Sequence, residues 1–165
     1  MARTKGRVGS LYVNAPNTAP QGTTYNQTSA VEIGQIRAWS LDTTVDLAEV
    51  TDMGDKWREH LQTLRGWSGE FTVFSDPSAT VNQDEIWEGL LEGSFSGSLA
   101  TTSGELEGQL LGLFCLDDDA AIGVRKMFFG DIILTGAGVS VEVDGVDMAT
   151  FRFTGNGLLG YVTNG

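Results

Sequence analysis

The second half of the chain is built from short apolar runs that glycine-rich turns separate at close intervals. Such runs are typical of β-strands in an all-β domain. Asp144-Gly145 and Asn156-Gly157 are favourable turn dipeptides between them. The predicted strands are Phe95–Thr101, Glu107–Leu116, Arg125–Leu134, Ala137–Val143, Thr150–Thr154 and a last one near Leu158–Val162.

The first half adds fewer strands and one helix. Val31–Leu41, Val45–Val50 and Trp67–Phe74 have strand-like patterns, the first with a slip near Gly34. A helix is predicted over about 82–92, because Asn82 and Glu85 form a capping box and Gly93 suits the position after the helix. Its apolar stripe is Ile86, Trp87, Leu90 and Leu91.

About eight strands and one helix predict a mainly β fold, an antiparallel sandwich or barrel-like domain with one flanking helix. The 165 residues fit a single domain, 1–165, that is long enough to bury a core. Residues 1–30 are polar and rich in Asn, Thr, Gly and Pro, which predicts an extended N-terminal arm with Leu11, Tyr12 and Val13 as its few anchors.

Charge limits the partners that this surface can have. The net charge is −12, and three of the ten basic residues lie in the first seven positions, so the rest of the chain carries −15. Such a surface repels nucleic acid and anionic lipid. The acidic surface either keeps the protein soluble or allows it to work close to DNA without binding the DNA. Apolar runs are too short to span a membrane and a signal-peptide core is missing, so we expect a soluble protein made in the cytoplasm.

Residues with catalytic or metal-binding chemistry are few. Cys115, the single cysteine, lies in an apolar run and is expected to be a buried core thiol, whereas His60 lies in a polar segment. Asp117-Asp118-Asp119 lacks the spacing of a calcium loop and indicates a solvated hairpin turn. No glycine string has the phosphate-loop pattern. We therefore expect no enzyme activity, no metal site and no cofactor.

One long segment, Trp39–Gly69, stands between two strand-like runs. It holds three of the four tryptophans and the only histidine in a mixed-charge sequence. Trp57, Leu61 and Leu64 fall on one face of one or two helical turns. A long connection this rich in anchors and charge usually makes contacts. Trp39 and Trp67 are expected in the core because they lie at strand ends, and so is Trp87 on the helix.

The order of several short motifs carries a resemblance to a known family. The run WSLD…EVTDMGDKW…GWSG at 39–69, FFGDII at 128–133 and FRFTGNGLL at 151–159 resemble the tail tube (major tail) proteins of long-tailed, siphovirus-like bacteriophages. The likeness covers about 31–162, from an early strand through a long insertion and a single helix to a strand-rich half. Each motif alone is weakly specific, and their order makes the case.

The resemblance implies an assembly role in the virion tail. Six copies form a ring, rings stack helically into a hollow tube, and inner strands of neighbouring copies join into one barrel that conducts the viral genome. The implied partners are other copies of the chain, a tape measure protein in the lumen, and the tail terminator and distal tail proteins. DNA passes without specific binding because the lumen is acidic.

The resemblance also implies roles for individual residues, which are stated here as expectations. Residues 42–66 are the expected stacking loop. The expected contact residues between subunits and rings are Asp52, Met53, Asp55, Lys56, Trp57, Arg58, Leu61 and Arg65. A simple anchor to the core is the alternative role for Trp57. In the run 139–144 the valines are expected on the dry side of a strand, with Ser140, Glu142 and Asp144 facing either the lumen or the outer surface.

A second functional class stays open from the sequence alone. A β-sandwich of this size can also be a non-catalytic binding module for a carbohydrate or a protein. That function needs exposed aromatic side chains on one face, whereas the tryptophans here stand mostly beside positions that look buried.

Overall fold

A computed structural model describes residues 10–14, 24–25, 31–75, 83–92, 109–116 and 125–164. The secondary structure comprises strands β1 (Ser10–Asn14), β2 (Thr24–Tyr25), β3 (Val31–Glu32), β4 (Ile36–Glu49) and β5 (His60–Phe74), helix α1 (Gln83–Glu92), and strands β6 (Gln109–Cys115), β7 (Arg125–Ser140) and β8 (Met148–Asn164). Within these residues the predicted mainly β fold with a flanking helix is confirmed.

The strands form one sheet in the order β3-β1-β6-β7-β8-β5-β4, and all neighbours on this path are antiparallel. The short strand β2 adds to the carboxyl end of β8 in a parallel pair, Thr24 opposite Thr163. That position on β8 is open to β2 because β5 pairs with β8 only between Ser68 and Phe74.

The sheet curls until its two ends meet. In a flat sheet, strands four positions apart lie about 19 Å from each other. Trp39 on β4 and Phe114 on β6 are four positions apart, yet their ring centroids are 5.4 Å apart. A corner at Gln35, which has a φ of 61°, connects β3 to β4 and completes the barrel-like enclosure.

Aromatic side chains fill the enclosed core. Phe71 stacks on Phe151 with centroids 5.0 Å apart, and Phe153 contacts Phe114 at 5.3 Å. All four rings are almost completely buried. Because strands alternate their side chains between faces, this core draws on every second residue of β5, β6 and β8.

Helix α1 closes one side of this core. Ile86 is buried, and the Trp87 ring lies 4.7 Å from Phe151. At the start of the helix, the Gln83 side-chain amide donates hydrogen bonds to the carbonyls of Gly34 and Phe74. The predicted stripe is wrong at Leu91, which is 75% exposed. Asn82 and Gly93, the predicted caps, lie outside the described residues.

Strand β6 is buried on both faces. One face contributes Phe114 to the aromatic core, and the other contributes Cys115 to a second cluster of Leu111, Leu113, Met127, Phe129 and Val162. The prediction that Cys115 is a buried core thiol is confirmed.

Three features differ from the sequence-based expectation. Residues 10–14 are not part of an extended arm but a core strand, because Leu11 and Val13 are completely buried. The strand pairs predicted within 125–143 and within 150–162 are two long strands, β7 and β8. Asn156-Gly157 lies at a bulge of β8 rather than a reversing turn. The other predictions for 1–30, the strand at 95–101 and the turn at 117–119 fall wholly or mainly outside the described residues.

Candidate interaction surface

Strands β4 and β5 separate from the rest of the sheet over part of their length. Ser68 is the first residue of β5 that pairs with β8, whereas β4 and β5 pair with each other from Glu49 opposite His60 onward. Residues 43–67 therefore form a two-stranded ribbon, which we call the arm. The predicted helical turns over 57–64 are wrong: 60–64 are β-strand, and the expected stacking loop at 42–66 is mostly paired strand.

Both faces of the arm expose large apolar side chains. Val45 and Leu47 lie on the face that continues toward Trp67, and Leu61 lies on the opposite face with its partner Ala48. Leu61 is 59% exposed and Leu64 is 73% exposed. A two-stranded ribbon is marginally stable by itself in water, and exposed apolar patches of this kind mark interaction sites.

Residues 50–59 form the end of the arm, which we call the tip, and local hydrogen bonds hold its shape. The Asp52 amide donates to Asp55 Oδ2 at 2.9 Å, and the Asp55 amide donates to the Asp52 carbonyl at 3.1 Å. The Glu59 amide donates to Thr51 Oγ1 at 3.0 Å. Gly54 adopts a φ of 109°, which an L-residue with a side chain rarely adopts.

The tip presents two apolar side chains to solvent. Met53 is fully exposed and Trp57 is 84% exposed. An anchor to the core, the alternative role for Trp57, is therefore wrong. A large aromatic side chain held on an ordered platform loses little conformational entropy when it is buried by a partner. The tip has the properties of a preformed contact.

A cleft of about 380 Å³ opens where the arm leaves β8. The arm lines one side, with Thr43, Val45, Arg65 and Trp67 among its residues, and the bulge at Gly157–Leu159 lines the other. The bulge arises because Phe129 pairs with Gly160 and Asp131 pairs with Asn156, which leaves three residues of β8 opposite Gly130. The cleft is a direct consequence of this irregular register.

Trp67 joins the arm to the bulge. Its indole Nε1 donates a hydrogen bond to the Gly157 carbonyl at 3.1 Å, and its ring is buried. The ring lies against Gly155 and Gly130, where side chains would leave no room for it. The expected core positions of Trp39 and Trp67 are confirmed, and Trp87 packs against the same core.

Gly155→Ala is expected to lower the free energy of unfolding by about 1–3 kcal/mol, because its Cβ would lie 1.9 Å from Trp67 Cε2 and the buried indole must move. Gly138→Ala is the matched control, since its Cβ meets nothing within 4 Å. Urea denaturation of both variants measures the difference. Equal stability of the two variants would contradict the packing role of Gly155.

The predicted contact residues divide between two places. Asp52, Met53, Asp55, Lys56, Trp57 and Arg58 lie together on the tip. Leu61 lies on the neighbouring strand, and Arg65 lies at the base of the arm, in the cleft. Five residues of extended strand, roughly 17 Å, separate Arg65 from His60. Sequence reasoning missed the cleft residues Leu158 and Leu159, whose only signal was the glycine-rich motif before them.

The turn between β7 and β8 is a second exposed apolar region. Strand β7 ends at Ser140, and the residues after it form the turn. Ser140, Glu142 and Asp144 are exposed as expected. The expected dry valine side is wrong for this chain, because Val139 and Val141 are exposed and Val143 is fully so.

Reactive side chains do not converge in the described parts of the chain. His60 is exposed at the start of β5, whereas Cys115 is completely buried. Among the residues that the structure describes, no three His, Cys, Asp or Glu side chains are placed to hold a metal ion. Within the same residues, helices of the length and apolarity needed to cross a membrane are not found.

No family model and no curated protein matches this chain. Solved structures do. A chain in the tail of an empty gene transfer agent particle, refined with C6 symmetry, is 13% identical with a TM-score of 0.64 over 98% of this chain and 100% of that one. The SPP1 tail tube is 13% identical with a TM-score of 0.67 over 99% and 80%.

A chain from the baseplate of the anti-feeding prophage, a six-fold symmetrised structure, is 9% identical with a TM-score of 0.61 over 94% of this chain and 92% of that one. These likenesses extend over 94–99% of this chain and 80–100% of the others, so they concern the complete domain rather than a shared hairpin. At such low identities they establish the architecture, and the chain has the tail-tube fold.

Proposed function

We propose that this chain is the structural subunit of a phage-type tail tube. The observation that carries the proposal is the tail-tube fold over 98–99% of the chain, shared with a particle tail and a tail tube. The arm supports it, because its apolar side chains are exposed on both faces in the single chain and require partners.

Six copies form a ring in this proposal, as in the C6 tail and the six-fold baseplate. Strand β4 is at one end of the sheet order, so its outer edge has no neighbour among the described strands. Unpaired edges of this length invite association with another strand. In a ring, each copy contacts the next through two different surfaces, and the series of contacts closes. The outer edge of β4 in each copy then pairs with its neighbour.

Rings stack through the arm. The contact residues between rings are those of the tip, Asp52, Met53, Asp55, Lys56, Trp57 and Arg58, together with Leu61 and Arg65 on the arm itself. An aromatic centre with a rim of charged side chains is the usual composition of an energetic hot spot. The tip of one copy contacts a different surface on a copy in the next ring. Such a contact can be repeated from ring to ring without limit, which a tube requires.

The charge of the chain fits the passage of DNA. A net charge of −12 gives a tube wall that repels the phosphate backbone, so DNA slides through instead of binding. Ser140, Glu142 and Asp144 are the proposed lumen-facing residues. Within the virion tail, the further partners would be a tape measure protein inside the tube and the terminator and distal tail proteins at its ends.

Negative-stain electron microscopy of the concentrated protein tests this function. We expect rings or hollow tubes at high concentration, and analytical ultracentrifugation should show assembly rising with concentration. A protein that stays strictly monomeric over a wide range of concentration and salt would overturn the proposal.

The binding-module alternative gains no support. Of the four tryptophans only Trp57 is exposed, and it lies alone on the tip. A carbohydrate-binding face needs several exposed rings side by side.

A further inference from the structure

We propose that the tip of one copy inserts Trp57 into the cleft at the base of the arm of a copy in the next ring, where Arg65 meets the carboxylates beside Met53. This inference rests on the proposed tube function and identifies the surface that receives the arm.

The cleft has the size and the lining for a large apolar side chain. Its volume of about 380 Å³ lies within the range of roughly 300–1,000 Å³ of cavities that enclose small ligands. Val45, Leu158 and Leu159 supply apolar walls, and the buried indole of Trp67 supplies the floor. Since glycines and the hydrogen bond to Gly157 hold that indole in place, the cleft is preformed.

The tip offers both carboxylates and an aromatic ring to the cleft. Among the residues that line the cleft, Arg65 carries the charge. Its Nη2 donates to Gln62 Oε1 at 3.1 Å, and a guanidinium has five N–H donors, so others are available to a partner. The tip carries Asp52 and Asp55 on either side of Met53, and Trp57 follows two residues further between Lys56 and Arg58. Carboxylates for the guanidinium and an indole for the apolar walls are therefore presented together.

The tip cannot fill the cleft of its own chain. The arm is paired from Val45 opposite Arg65 to Glu49 opposite His60, with one bulge between Val45 and Leu47. This pairing keeps the tip roughly 17 Å or more from Arg65. A second copy must supply the side chain, and a tip-to-cleft contact repeated from copy to copy gives an open stack.

The turn between β7 and β8 is the competing occupant, because Val141 and Val143 are also exposed. Its acidic residues Glu142, Asp144 and Asp147 are exposed or half-buried, but it presents no aromatic ring. A pocket of this volume is filled better by an indole than by isopropyl groups, which favours the tip.

Disulfide cross-linking in assembled tubes tests the contact. Chains with Met53→Cys or Lys56→Cys, exposed tip positions that leave Trp57 in place, are mixed with chains carrying Leu158→Cys, assembled and oxidised mildly. These sites are exposed and Cys115 is buried, so the new thiols are the accessible ones. We expect cross-linked pairs from either tip variant. Tubes without this cross-link, or with a cross-link only between Val143→Cys and Leu158→Cys, overturn the inference.

Charge exchange provides an independent measurement. Arg65→Glu should raise the critical concentration for tube formation by roughly tenfold, and adding Asp52→Lys should restore part of the loss. Asp55 is left unchanged because its carboxylate accepts the hydrogen bond from the Asp52 amide. If Arg65 acts only within its own chain, the change on the tip will not restore tube formation. That result would overturn the inference. If the unmodified protein forms no tubes at all, the proposed function itself fails, so the two failures are distinguishable.

Discussion

Replacing residues 50–59 by Asn-Gly is expected to leave the domain folded and to abolish tube formation. Glu49 and His60 are paired, so a two-residue turn can join β4 to β5 without changing the register. The tip contributes nothing to either buried cluster, and its loss should therefore leave the free energy of unfolding within about 1 kcal/mol of the original. The shortened chain lacks Met53 and Trp57, the side chains that we propose to join rings.

Electron microscopy and sedimentation measure the outcome, with urea denaturation as the check on folding. Trp57→Phe is the matched control, because it keeps an aromatic ring on an intact tip and should still assemble. Single rings without tubes would support a contact between rings specifically. Normal tubes from the shortened chain would show that the tip is not the stacking element.

The second large effect concerns stability. Phe153→Ala should lower the free energy of unfolding by about 3–5 kcal/mol, the usual loss for a buried phenylalanine. Phe153 is 2% exposed and contacts Trp67, Phe71 and Phe114. Because a domain is typically stable by about 5–15 kcal/mol, this is a large part of the total. In a domain of this size the midpoint of thermal unfolding should fall by roughly 10 °C.

Phe128→Ala is the comparison variant. Phe128 is half-buried and contacts Tyr161, itself an exposed residue, at 4.9 Å between centroids. Its removal should therefore destabilise the protein less than the removal of Phe153. Both variants are compared as unassembled protein at low concentration, since assembly would add its own stabilisation. Equal losses would contradict the placement of Phe153 at the centre of the core.

The sequence predicted helix in part of the arm because a bulge imitates helical spacing. Leu61 and Leu64 are three residues apart, which is a helical interval. In the structure the register shifts between Val45 and Leu47, where β5 has one extra residue. That extra residue places Leu61 and Leu64 on one face of a strand. A periodicity argument cannot separate the two cases, because a bulge depends on the partner strand.

The valines at 139–143 illustrate a different limit. Their alternation with polar residues predicts correctly that two faces differ. It does not determine which face is covered, because covering depends on what the fold places above it. None of the described residues covers these valines. Like the apolar side chains of the arm, they are exposed surface that an assembly can bury.

The sequence by itself determined the fold class, the helix, the core positions of Trp39 and Trp67 and the burial of Cys115. These follow from local patterns of apolar residues, glycines and caps, which act within a few residues of each other. Only the tertiary structure decided that the arm leaves the sheet, that Arg65 lies far from Trp57, and that a cleft opens at Trp67. Those features depend on the register between β5, β7 and β8, strands that are distant in sequence, and register arises from pairing rather than from any one segment.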